Sequence, residues 1–140
     1  MKNFSSKLSA SQQAERLLPP QRRVKAVLDT DAYNEIDDQF AILYAMLSPE
    51  KIDLQAIYAA LFYNGRSSSP ADGMEKSYQE ILKICGLTGR DPEGFVFRGC
   101  RAPLEGPELP QESEAVNDLI RKARQASPDD PLYVIGVGAC

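Results

Sequence analysis

The sequence predicts an α/β domain built on an open, mostly parallel sheet with βαβ crossovers. Three observations carry this. Four apolar runs of strand length, at residues 24–28, 54–61, 95–97 and 132–137, alternate with three stretches whose apolar residues recur at helical spacing. The first run is almost wholly apolar, as suits a parallel strand covered on both faces. Each strand is separated from the next by a helix, the connection that parallel neighbours require and that closes right-handed.

The elements follow in order. Residues 1–23 are rich in Ser, Gln and Lys and end in Leu17-Leu18-Pro19-Pro20, which reads as a polar, partly disordered extension with room for one short helix. Residues 24–140 form the α/β domain. After the first strand, Ile36, Phe40, Leu43, Tyr44 and Leu47 recur as one apolar helix face, with Asn34 expected as its N-cap. A break at Ser48-Pro49-Glu50 leads to the second strand, then to Phe62-Tyr63-Asn64-Gly65-Arg66 and a Ser-rich loop. Asp72 is expected to cap a helix carrying Met74, Tyr78, Ile81, Leu82 and Cys85, with Gly86 closing it. The third strand ends at Phe97. A Pro-rich loop follows, and then a helix from Glu112 with Ala115, Val116, Leu119, Ile120 and Ala123 inward and a solvated basic end at Arg121, Lys122 and Arg124. Glycines at 136 and 138 close the fourth strand, where a backbone can approach a ligand.

Composition narrows the function. At 140 residues, 43% apolar and 26% charged, the chain suffices for one domain of ordinary globular make-up. A net charge of −4 gives no electrostatic case for nucleic acid or an anionic membrane, so neither is an expected partner. No apolar run approaches a membrane span and the N-terminus lacks a signal-peptide core, so a cytoplasmic location is expected. The absence of histidine excludes Ser-His-Asp and Cys-His catalysis and removes the commonest zinc ligand. Cys85, Cys100 and Cys140 are odd in number and lack CxxC spacing, which points to reduced thiols.

The chemistry lies at the first strand-to-helix junction. Asp29 and Asp31 close the strand and, by alternation, point the same way, with Thr30 opposed. Glu35, Asp37 and Asp38 fall in the first turn of the helix. Helix capping accounts for Glu35 and Asp37. It does not account for so many converging carboxylates, which need a cation or retained protons. Strand carboxyl ends are where open α/β sheets bind ligands, and an all-oxygen set suits Ca²⁺ or, less well, Mg²⁺.

At these residues the chain resembles the inosine-uridine preferring nucleoside hydrolases. Their opening signature is an apolar strand, Asp-x-Asp, a Pro-Gly turn and an Asp-Asp pair starting a helix. Here it reads Asp29-Thr30-Asp31, then Ala32 to Ile36, then Asp37-Asp38. Ala32-Tyr33 stand in place of Pro-Gly, and the loop is two residues longer. Asn64 resembles the family's Asn after the second strand, and Phe97-Arg98-Gly99-Cys100-Arg101-Ala102-Pro103-Leu104 resembles its Tyr-Arg-Gly-Ala-x-x-Pro-Leu segment.

The resemblance implies a Rossmann-like, nucleoside hydrolase-type sheet and Ca²⁺-dependent cleavage of the N-glycosidic bond of a ribonucleoside. Asp31 would be general base and metal ligand, Asp38 the second metal ligand, Asp37 and Asn64 substrate-binding residues, and Asp29 a support for the loop. A homo-oligomer is expected. The family is roughly twice this length, so the chain is expected to be its N-terminal portion, ending after the fourth strand and inactive alone. A haloacid-dehalogenase-like phosphohydrolase using Asp29-x-Asp31 is the alternative enzyme, and a non-catalytic metal- or ribose-binding fragment the alternative to an enzyme. An exposed edge on the fourth strand is expected to pair with another chain.

Overall fold

The computed structural model describes residues 8–138; the first seven residues of the extension and the Cys140 thiol lie outside them. In chain order the elements are α1 (Ala10–Arg16), β1 (Val24–Thr30), α2 (Ile36–Met46), β2 (Ile52–Ala59), α3 (Pro70–Thr88), β3 (Val96–Arg98), α4 (Glu114–Ala123) and β4 (Leu132–Gly136). The four strands form one all-parallel, Rossmann-like sheet in the order β3-β2-β1-β4. From β1 the chain steps outward to β2 and β3, then returns to place β4 on the other side of β1. The order of strand addition therefore reverses between β1 and β4, the crevice where such folds bind ligands.

Two apolar layers sandwich the sheet. On one face Leu28, Ile57 and Ala59 meet Ile42 of α2 and Met74, Ile81, Ile84 and Cys85 of α3. On the other, Val27, Ala56 and Tyr58 meet Ala115 and Leu119 of α4. Ala26, Val27 and Leu28 are all buried, as expected of a strand covered on both sides. The register of β1 against β2 shifts between Ala26 and Val27, so β2 carries one extra residue, Gln55, at a bulge. Cys85 and Cys100 are free thiols. No helix among the described residues is long and apolar enough to cross a membrane.

Helix boundaries depart from expectation where two caps compete. Ser69, followed by Pro70, starts α3: its hydroxyl accepts the Asp72 N–H at 3.1 Å, so Asp72 sits inside the first turn instead of capping it. The helix runs through Gly86 and closes at Gly89, whose φ of 69° is the left-handed turn that glycine adopts without strain. Ser113 likewise caps α4 through the Val116 N–H.

The face of α2 is a larger correction. Of the expected apolar face, Ile36, Phe40, Tyr44 and Leu47 point to solvent and only Leu43 packs partly on the core. Asp38, Ile42 and Ala45 are the buried residues. Residues 40–47 are all apolar, so periodicity alone could not choose a side. The basic end of α4 is a second correction. Lys122 is buried, with its ammonium on Asp118 and 5.3 Å from the centre of the Phe97 ring.

Candidate functional site

The carboxyl end of β1 is pinned from both sides. The Val137 N–H donates to the Asp29 carbonyl at 3.0 Å and the Ala60 N–H to the Thr30 carbonyl at 2.8 Å. Strand alternation then sorts the side chains. Asp29 lies beside Tyr58 in the β1–β2 register, on the α4 side, whereas Thr30 points to α2 and its hydroxyl donates to Asp38 Oδ1 at 2.5 Å. Asp31 follows directly and is buried, as is Asp38. The two carboxylates are thus both buried near the carboxyl end of β1, close enough for the charge of Asp31 to act on Asp38.

Asn34 does not cap α2. The N-cap position belongs to Glu35, whose side chain makes no capping bond. Instead the Asn34 carboxamide donates to Asp31 Oδ2 at 3.0 Å and accepts from Asn64 Nδ2 at 2.6 Å. The Arg66 guanidinium donates to the Asn34 carbonyl, and the Arg66 N–H donates to Asn64 Oδ1 at 2.9 Å. The two loops are further joined by Tyr33 stacked on Phe62, with ring centres 6.4 Å apart. Asn34 and Thr30 are the site residues that sequence reasoning missed. Their letters are ordinary for a turn and a strand end, and only the fold brings them to the acids.

Of the expected residues, Asp31 and Asn64 are united through Asn34, and Asp38 joins through Thr30. Asp37 is exposed, and its carboxylate accepts the Asp38 N–H at 3.2 Å. The acids feel one another. Burial, and then the charge of Asp31, pushes the Asp29 carboxyl up to about 6. Burial raises that of Asp38 as well, outweighing the Thr30 hydrogen bond, with Asp31, Asp37 and Glu35 adding to the rise.

Close backbone approaches frame the cleft. A Cβ on Gly73, in the first turn of α3, would overlap the Phe62 carbonyl oxygen, and one on Gly99 would overlap that of Ala59. Glycine at these points lets α3 lie directly on the Phe62 backbone and the chain after β3 on that of Ala59. A Cβ on Gly138 would stand 3.1 Å from Asp31 Oδ1, so the end of β4 rests against the acid.

The donor chemistry at Asp31 and Asp38 is hard oxygen, which suits Ca²⁺ or Mg²⁺. Among the described residues no three acid, histidine or cysteine side chains form a ready-made cage. Two carboxylates supply four oxygens at most, short of the ~6–8 that Ca²⁺ takes. Any cation held here would complete its shell with backbone, water or ligand oxygens. No family model, curated protein or solved structure matches the chain.

Proposed function

We propose that the acid cleft binds a hard divalent cation and a ribonucleoside, and belongs to a hydrolase of the N-glycosidic bond. One observation supports this most. Asp31 and Asp38, from the two ends of the β1–α2 loop, are both buried, each accepts from a neutral donor, and among the described residues neither pairs with a cationic side chain. Buried carboxylates without a counter-charge are costly, and a cation would relieve them.

Within this reading Asp31 accepts a proton from the attacking water. Asn34 orients it by fixing Oδ2, and Asn64 holds Asn34 in turn. Thr30 fixes the rotamer of Asp38, which together with Asp31 would hold the cation. Asp37, exposed at the mouth, takes a ribose hydroxyl, and Asp29 buttresses the strand end. A bound Ca²⁺ would supply the charge that lowers the pKa of the water. Cation binding is the decisive readout.

Calorimetric titration with Ca²⁺ is expected to give one site, weakened at least tenfold by Asp38→Ala and by Asp31→Ala and little by Asp53→Ala. Nucleoside hydrolysis and phosphomonoester hydrolysis are assayed in parallel. No heat at millimolar Ca²⁺ together with no nucleoside cleavage would sink the reading, and cleavage of the phosphomonoester alone would replace it with the phosphohydrolase.

A further inference from the structure

We propose that α2 is a dimerisation helix, and that a second copy of this chain covers its outer face in an antiparallel, two-fold arrangement. The observation is a row of large apolar side chains that no described residue covers from outside. Ile36, Phe40, Tyr44 and Leu47 are 68, 64, 73 and 72% exposed. They follow one another at intervals of four, four and three residues, which places them in one stripe opposite Asp38, Ile42 and Ala45. A helix that is apolar all the way round is built to be buried all the way round. Here the sheet covers one side only.

Area, shape and charge all select a copy of the same chain. At these exposures each large side chain offers ~150 Å², so the stripe presents roughly 600 Å² of apolar surface, at the upper end of the ~300–600 Å² that the largest patch of an ordinary monomer reaches. That is most of the ~800 Å² per partner found in stable interfaces, and flanking atoms would supply the rest. The stripe is nearly symmetric about the helix midpoint. In an antiparallel pair Phe40 and Tyr44 of one copy therefore meet Tyr44 and Phe40 of the other, while ridges four residues apart interlock at the crossing angle near −50° common in globular proteins. The exposed charges at α2, Glu35 at its N-cap and Asp37 in its first turn, lie at one end only. Antiparallel pairing puts these acidic ends at opposite extremes, each toward the exposed Lys51 that follows the partner's last turn. An unrelated partner would not be required to match this symmetry.

The edge of β4 is the competing surface, since Val134 is 57% exposed there, and the test separates the two. Sedimentation velocity of the full chain, from low to high micromolar, is expected to show a monomer–dimer equilibrium. Phe40→Glu and Tyr44→Lys should each lower the association constant at least tenfold while leaving circular dichroism and melting of the monomer unchanged, because both side chains already face water. Val134→Lys should leave the dimer intact. A wild-type chain that is monomeric throughout overturns the proposal. So does a dimer that survives both α2 variants, or one that Val134→Lys dissociates. Should Phe40→Glu fail to fold, Tyr44→Lys alone decides.

Discussion

Asp118 gathers three donors away from the cleft. Buried on α4, it accepts from Tyr58 Oη at 2.8 Å and from both Lys122 and Arg121. Burial alone would raise its pKa, but the hydrogen bonds from Lys122, Tyr58 and Arg121 outweigh burial and hold the carboxyl below its usual range. Burial also lifts the Tyr58 phenol far above its ordinary value, with the Asp118 bond adding to the effect, so Tyr58 serves as a neutral donor at every physiological pH. Removing one member strands a buried charge. Asp118→Ala is expected to cost ~3–5 kcal/mol in urea unfolding, because Lys122 is left uncompensated. The double change Asp118→Leu with Lys122→Met should recover most of that loss, and Tyr58→Phe alone should cost about 1 kcal/mol. The sequence offered one hint of this network, an acid and a lysine four residues apart on one helix. Nothing in it said that Tyr58 would come across from the sheet to bury them.

Two devices hold α3 against the loops around the cleft. Arg98, at the end of β3, grips Glu75 with two guanidinium nitrogens at 2.9 and 3.0 Å and lies 3.7 Å over the centre of the Tyr78 ring. The Arg98 hydrogen bond, followed by that of Gln79, draws the Glu75 carboxyl down to about 2 from 4.5. Since the folded value lies below the unfolded one, this stabilisation is present above pH 4.5 and disappears as the pH falls toward 2. The pair is more than a third exposed, so solvent screening limits it to ~1 kcal/mol. Melting of Glu75→Gln against the parent should differ by that amount at neutral pH and converge near pH 2.

Gly73 is the second device. Gly73→Ala must push the Phe62 carbonyl away, with an expected cost of ~1–3 kcal/mol and loss of the Asn64–Asn34 bond, visible as faster amide exchange at Arg66. The helix itself was legible from Met74, Tyr78, Ile81 and Cys85. Its glycine at the crossing was not, since a tight approach depends on the Phe62 backbone arriving from another element. α2 failed differently. With eight consecutive apolar residues the sequence holds the helix but not its orientation, and the side turned inward is the one that carries Asp38 to the Thr30 hydroxyl.

Across the molecule, stability is graded by pairing. β1 has a hydrogen-bonded neighbour on each side and is buried at Ala26, Val27 and Leu28, whereas no residue of α1 is buried. Native-state hydrogen exchange should therefore find the slowest amides at Val27, Leu28 and Ile57, opening near the global unfolding free energy, and the fastest along α1, where the free energy approaches zero. The parallel architecture was readable because strand-length apolar runs alternate with helical periods, and that alternation permits few other solutions. The junction acids were readable because they follow a buried strand without a gap. What binds them to one another was not, for Thr30, Asn34 and Asn64 act through distances that only the closed sheet sets.

The carboxamide of Asn34 has one further effect. Because it holds Asp31 with one hand and Asn64 with the other, the stretches after β1 and after β2 behave as a single latch, and a molecule that claims the Asn64 amide must slacken the grip on Asp31 as well. Arrival of a guest at the rim would thus be felt at the acid beneath it without any rearrangement of the strands.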